Sequence, residues 1–351
     1  MITFHFQLLF MLALGLGCTL LLLPILINLR LHFKWVDEPV ELYVHNRPVP
    51  TSGGLGIMLL PLTFTFFELP FTGMALLLLT LVGWYDDRLG LSPKMKLLLQ
   101  LMAAAMVVFQ GNALPGFGGL WGVDSLHPVL QYGCALLILV AFSNAYNLID
   151  GLDGLAGTLG LSMSLCCGMV FILAGDSSYA LLSFALAGGL LGFLRFNWHP
   201  ARIFMGDAGS LSIGFLLGLM GMRLLQPETQ ANLPGISYEV LLIGLFWLPV
   251  FDVIRVVMVR LWHRKSPFSA DKNHLHHRLL DLGMAQGMVT LTLLGLQISF
   301  FAVAVYSAYT YPNWILAALF ISGVIFVQLV HRVRLYQLGV ASAWKRKEVR
   351  E

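Results

Sequence analysis

Long apolar runs, each closed by a short polar stretch, recur from one end of the chain to the other. Taking about 20 apolar residues as one membrane crossing, about eleven runs start near Phe6, Gly53, Phe71, Pro93, Pro128, Gly154, Ser177, Ala208, Ile236, Gly287 and Pro312. The pattern predicts an all-α polytopic membrane protein with about eleven transmembrane helices. The second and third runs share a break around Glu68 and Pro70, and merging them would invert the topology of everything that follows. The first run is preceded by no Lys or Arg and is too long for the apolar region of a signal peptide, so it is expected to persist as a helix. Leu14-Gly15-Leu16-Gly17-Cys18 faintly resembles a lipobox, but no charged segment stands before it.

Composition supports this reading. Of 351 residues, 58% are hydrophobic and 11% charged, and the mean hydropathy is +0.80, which excludes an ordinary soluble globular domain. The cysteines Cys18, Cys134, Cys166 and Cys167 all lie inside apolar runs, so they read as small core residues and indicate neither a disulfide framework nor a metal site. Charge orients the chain. With eleven spans, every Lys and Arg except Arg223 falls on one side, which the positive-inside rule makes cytoplasmic. The N-terminus is then outside and the C-terminus inside. Residues 1–351 form a single integral-membrane domain, with cytoplasmic loops near 30–52, 86–92, 150–153, 195–207 and 263–286 and a tail at 332–351.

The unusual polar residues fall on that same face. Asp86-Asp87-Arg88 ends the third run, and Asn144 to Asp153 joins the fifth to the sixth. Phe204-Met205-Gly206-Asp207-Ala208-Gly209-Ser210 opens the eighth, while Asp271 and His274-Leu275-His276-His277 occupy the longest loop. Asn144, Asn147 and Asp150 are spaced by three and share one face of the last turns of an incoming helix. Convergence of four loops on one face reads as a polar site. Each piece also has a plainer reading. Asp153 falls where the next helix starts and reads as a cap beside the turn-forming Asp-Gly steps. Asp86 and Asp87 at a helix C-terminus oppose the macrodipole, so a cation or an arginine is expected to offset them. Asp207 reads equally as the N-cap of the eighth helix or as part of an anion site built from free N–H groups. The histidines resemble a metal tract, but no third-loop ligand completes a zinc set. Asp252 and Arg255 are expected to pair with each other. The D-G-L-D-G run lacks the spaced acids of a calcium loop.

Taken together, D-D-R, N-L-I-D-G-L-D-G-L-A, F-M-G-D-A-G-S and S-P-F-S-A-D-K-N-H-L-H-H-R-L resemble the polyprenyl-phosphate N-acetylhexosamine-1-phosphate transferase family, and so does R-P-V-P-T-S-G-G from Arg47 to Gly54. The motifs recur in the family's order over nearly the whole chain. The H-x-H-H form is closer to the branch that initiates envelope polysaccharides than to the peptidoglycan branch.

The resemblance implies that polyprenyl phosphate attacks the sugar-side phosphorus of a UDP-N-acetylhexosamine, releasing UMP, with Mg2+ required or Mn2+ in its place. It implies Asp207 as the principal metal ligand, Asn147 close to the metal and Asp150 supporting it. It further implies Asp86 and Asp87 as the catalytic pair at the lipid phosphate, and Phe204 as an aromatic stacked on uracil with Asp153 near the base. His274, His276 and His277 fall near the diphosphate, where a charged imidazole would stabilise negative charge. Asn144 is expected in the substrate site, and Arg260 and Arg264 at the sugar phosphate. The expected location is the bacterial inner membrane, where the chain crosses the lipid bilayer many times; a homodimer is in keeping with the family, and nucleic acid is not an expected partner. A transporter or flippase of lipid-linked intermediates is the alternative, although transport sites usually lie near the bilayer midplane. A lipid-diphosphate phosphatase is a third reading.

Overall fold

The structure, a computed structural model, describes residues 2–33, 49–116, 125–232, 234–266, 273–309 and 312–348. Lys34, Arg47, Asp271, Lys272 and Arg350, which entered the charge and motif readings, lie outside the described residues. The described chain is helical throughout: α1 (Ile2–His32), α2 (Gly53–Glu68), α3 (Pro70–Leu89), α4 (Pro93–Val108), α5 (Pro128–Ile149), α6 (Leu155–Leu173), α7 (Ser177–Asn197), α8 (Gly206–Leu224), α9 (Pro227–Gln230), α10 (Tyr238–Leu245), α11 (Trp247–Trp262), α12 (Leu275–Leu280), α13 (Gln286–Ser307) and α14 (Pro312–Glu348). Pro70, Pro93 and Pro128 open their helices, at the position where the missing N–H costs nothing. Asp176 caps α7 by accepting from the Tyr179 amide at 3.3 Å.

This is an all-α polytopic membrane protein. All eleven apolar runs are helical, but the ninth is broken: α10 and α11 meet at Phe246 with a bend of 71°. Among the described residues, six helices are long and apolar enough to cross a membrane by themselves, and the bent pair makes a seventh if it counts as one span. The others fall short for physical reasons. Helices α2 and α4 have 16 residues each, and α3 and α8 carry acidic residues within their own turns.

Helices α2 and α3 are separate, antiparallel elements joined at Leu69. A Cβ on Gly54, at the start of α2, would lie 2.1 Å from the Gly209 amide of α8, and one on Gly83, late in α3, 2.3 Å from the Ala208 amide. The beginning of α2 and the end of α3 therefore meet the same turn of α8, which a merged span could not do. Only glycine permits these approaches of backbone to backbone. Helix α8 is buried along nearly its whole length among α2, α3, α5 and α6. At the far end of the bundle Arg223, the exception to the charge rule, pairs with Asp176 at 2.7 Å and lies over the Tyr179 ring.

Candidate active site

The first turn of α8 is the pivot of the polar end. Before it, Phe204 pairs with Thr51 in a parallel bridge. Phe204 donates to the Pro50 carbonyl at 2.9 Å, while Gly53 and Gly54 donate to Phe204 and Met205, each at 2.9 Å. The Thr51–Gly54 stretch and the F-M-G-D-A-G-S motif are thus one unit, with Phe204 partly exposed on it.

Asp207 is not the N-cap; Met205 holds that position and Asp207 lies in the first turn. The amides of Asp207 and Ala208 point at Asp87, whose carboxylate accepts them at 2.8 and 3.4 Å. The helix start expected to offer free N–H groups therefore has a carboxylate of the same chain on it. This also explains how Asp87 is tolerated at the C-terminus of α3, because the positive end of α8 offsets the negative end of α3. Asp86 is offset differently, by Lys96 of α4. The Lys96 ammonium contacts Asp86 and lies 2.5 Å from Asp207 Oδ2. Asn147 Nδ2 donates to Asp207 Oδ1 at 2.8 Å and to Ser210 Oγ at 2.7 Å, so it orients the carboxylate. Asp150, just past the end of α5, completes the cluster. Burial first, and then the charges of Asp207, Asp87 and Asp153, push its carboxyl up to about 7.

The remaining residues stand around this centre. Asn144 faces away to α4, donating to Gln100 Oε1 at 2.8 Å and receiving from Gln100 Nε2 at 3.3 Å. Asp153 is buried and caps nothing; Gly154 precedes α6 in the left-handed region. Asp153 Oδ2 instead accepts from His199 Nδ1 and the Ala201 amide, both at 2.9 Å, tying the α7–α8 connection to the α5–α6 turn. Asn197 adds a second tie, between the Gly154 amide and the Ile203 carbonyl.

Helix α12 brings the histidines to the same end. His276 packs on Gly151, where a Cβ would come within 2.8 Å of its Nε2. Its ring lies 5.7 Å from that of His274 and 4.3 Å from that of His277. Burial, and after it the neighbouring His277, push the His276 ring down to about 3, which favours its neutral form. His274 is fixed by Asp252: its Nδ1 lies 2.8 Å from Oδ2, while Oδ1 accepts from Arg255 at 2.7 Å and the Leu275 amide at 3.1 Å. The expected Asp252–Arg255 pair is present and serves as the anchor of α12. Arg260 is buried near the end of α11, and Arg264 is exposed just beyond it with a φ of 57°.

Lys96, Gln100, His199 and Asn197 are site or supporting residues that the sequence reading passed over. For Lys96 a signal existed: a cation in the first turn of α4 is as unfavourable as an acid in the last turn of α3, and the two opposed charges neutralise each other.

No group of three His, Cys, Asp or Glu side chains among the described residues forms a ready metal nest. What converges is oxygen: Asp207 and Asp86 share one cation, the Lys96 ammonium, with Asp87 and Asp150 close by. Such a set suits a hard divalent ion that takes one or two carboxylates and completes its shell with phosphate oxygens and water. Farther along the same bundle, from its middle toward the end that holds Arg223, α5, α8, α10, α11 and α14 line an apolar cavity of about 660 Å³, with Gly218, Gly221 and Met222 of α8 in its wall. Phe142, two residues before Asn144, and Ile254, two after Asp252, belong to its wall, so cavity and polar centre share helices.

The sequence profile described as glycosyl transferase family 4 matches residues 69–225, the stretch holding Asp86, Asp87, Asn147, Asp150 and Asp207. Over 90% of this chain and 88% of its own length, a protein of Bacillus subtilis (strain 168) described as a probable undecaprenyl-phosphate N-acetylglucosaminyl 1-phosphate transferase is 31% identical. A decaprenyl-phosphate N-acetylglucosaminephosphotransferase of Mycobacterium leprae is 35% identical over 73% of this chain and 72% of its own. The undecaprenyl-phosphate alpha-N-acetylglucosaminyl 1-phosphate transferase of Escherichia coli (strain K12) is 28% identical over 88% and 84%.

Proposed function

Because the chain belongs to glycosyl transferase family 4, we propose that it transfers N-acetylglucosamine 1-phosphate from UDP-N-acetylglucosamine to a polyprenyl phosphate such as undecaprenyl phosphate. The products are UMP and polyprenyl-diphosphate-N-acetylglucosamine, the first lipid-linked intermediate of an envelope polysaccharide. The reaction belongs to the cytoplasmic face of the bacterial plasma membrane. The observation that carries this reading is the meeting of four distant loops in one acidic centre at a single end of the bundle, on helices that also line an apolar cavity deeper in it.

The chemistry follows from the charges. The lipid phosphate, with a second pKa of about 6, is largely dianionic at neutral pH, so it is already a nucleophile. Bringing it to a second anion is the harder task. Magnesium, held by Asp207 with Asp86 beside it, would supply positive charge to the transferring phosphoryl group. Lys96 adds a second charge from the chain itself, between those two aspartates. Asp87 secures the α8 turn that carries Asp207, and Asn147 fixes the carboxylate's rotation. His274, with Nδ1 held by Asp252, keeps Nε2 for a phosphate oxygen of the diphosphate. Phe204 offers the ring for the base, and Arg260 and Arg264 the charge for the sugar phosphate. The apolar cavity suits the isoprenoid, whose burial there is favoured by shape and dispersion.

A transporter would put its polar residues at midmembrane. Here the acids lie at helix ends. Purified protein incubated with a panel of UDP-N-acetylhexosamines, polyprenyl phosphate and magnesium is expected to release UMP only when both substrates are present, with N-acetylglucosamine preferred. UMP released without the lipid, or no lipid-diphosphate-sugar formed, would overturn the assignment.

A further inference from the structure

The break between α10 and α11 has a chemical cause on each side of it. Pro249 has no N–H and would clash with the carbonyl four residues back, that of Leu245. Gln297, midway along α13 and 2% exposed, then inserts its amide into the next bond of the ladder. In a continuous helix the Leu248 amide would donate to the Gly244 carbonyl. Instead Leu248 donates to Gln297 Oε1 at 3.0 Å, and Gln297 Nε2 donates to Gly244 O at 2.9 Å and contacts Leu245 O. One side chain thus satisfies three backbone groups that the break leaves without helical partners, where no water is at hand.

The 71° bend held in this way has a shape consequence. It sets the directions of the helices carrying Leu242, Phe246, Trp247, Val250 and Ile254, which form one side of the 660 Å³ apolar cavity against Phe142 of α5 and Phe320 of α14. Trp247 is stacked between Phe251 and Phe300 at centroid distances of 4.5 and 3.8 Å, so the wall beyond the bend is a packed aromatic block.

We propose that Gln297 is a positioning residue for the lipid acceptor: by inserting into the Leu248–Gly244 hydrogen bond it fixes the bend that gives the cavity its width, and so determines how well a long isoprenoid chain is held. The proposal rests on the transferase reading above. It makes no demand on the polar centre, which Gln297 does not touch.

The test uses two acceptors, a full-length polyprenyl phosphate and a two-isoprene phosphate too short to fill the cavity. For Gln297→Leu the KM for the long acceptor is expected to rise about tenfold. Its kcat, the KM for the nucleotide-sugar and all constants with the short acceptor should stay near wild type. Since Gln297→Leu leaves three buried backbone groups unpaired and could fail to fold, Gln297→Leu with Pro249→Ala provides the second arm. That pair of changes restores the missing N–H and lets the helix close its own ladder. The double variant is expected to be well folded and still defective with the long acceptor alone. A folded variant, single or double, with an unchanged long-acceptor KM would overturn the proposal. So would equal losses with both acceptors. Wild-type protein that transfers to neither acceptor would instead sink the transferase reading, and this inference with it.

Discussion

Replacing Asp252 by Asn isolates the role of the anchor beneath the histidines. The carboxylate is 3% exposed and accepts from Arg255, His274 and the Leu275 amide at 2.7, 2.8 and 3.1 Å. Asparagine keeps the shape but removes the charge, and turns one acceptor into a donor facing either the Arg255 guanidinium or the His274 ring. Arg255 is itself nearly buried, and its Nε has no acceptor among the described residues. Removing one member of such a buried pair costs about 3–5 kcal/mol. The retained amide oxygen can still serve Leu275, which puts the expected loss at the lower end, about 3 kcal/mol. The functional loss has a separate origin. If Asp252 acts by holding His274, the cost in turnover is that of a misplaced charged or polar donor to phosphate, about 1.5–3 kcal/mol, or ten- to a hundredfold. Thermal unfolding in detergent measures the first quantity and single-turnover UMP release the second. The decisive comparison is a double-mutant cycle: Asp252→Asn added to His274→Ala should slow turnover no further than His274→Ala alone. Multiplicative losses would refute the claim that Asp252 works through His274, and wild-type stability of Asp252→Asn would refute the anchor itself.

Four other outcomes are expected. Asp207→Asn should abolish turnover and the magnesium dependence of nucleotide binding, because an amide brings no charge to a hard cation; near-normal activity at verified protein level would remove Asp207 as the essential ligand. Asp87→Asn should lower kcat while leaving UDP-sugar affinity nearly intact, whereas His274→Ala should weaken nucleotide-sugar binding or transition-state stabilisation; equilibrium binding and single-turnover rates that show the reverse pattern would exchange the two roles. Asp150, with its carboxyl raised to about 7, holds a proton in the folded protein that the unfolded chain gives up near pH 4. Its contribution to stability is therefore present below about pH 4 and lost as pH rises through about 7; melting curves in metal-free buffer should show this decline in wild type, reduced in Asp150→Asn, and identical curves would contradict it. Single cysteines placed in the four motif loops, at Asp271 and at Lys345, in a background without the native cysteines, should all be labelled from the cytoplasmic side, and external labelling of any motif loop would reverse the orientation.

Much of the fold was legible because polar residues at the ends of apolar runs are conspicuous. Every run became helix, and Asp86, Asp87, Asn147, Asp150 and Asp207 converge as their shared face implied. What stayed hidden were partners distant in sequence. Lys96 looked like one more cytoplasmic charge until α3, α4 and α8 came together, with 111 residues separating it from Asp207. Asn144 shares a helix face with Asn147, yet its amide turns to Gln100, a residue with no mark of its own in the sequence. The bend in the ninth span was half visible in Pro249. Its other half, Gln297, lies in a later helix and reveals its purpose only by contact. The burial of His276 against Gly151, which lowers its pKa, was hidden for the same reason, since the H-x-H-H spacing carries no sign of it.

The enclosure of α8 also bears on how the molecule is made. This helix carries Asp207 yet shows almost no surface to lipid, and with that charge in its first turn and Arg223 in its last it is not apolar enough to qualify as a crossing by itself. The helices that surround it most closely, α2, α3, α5 and α6, all come earlier in the chain. As the polypeptide emerges from the ribosome in order, the socket exists before its occupant does. Helix α8 can therefore leave the insertion machinery directly into protein, against Gly54 and Gly83, so the acidic part of the centre is complete when residue 207 enters a frame already assembled, before α11 and α12 bring Asp252 and the histidines.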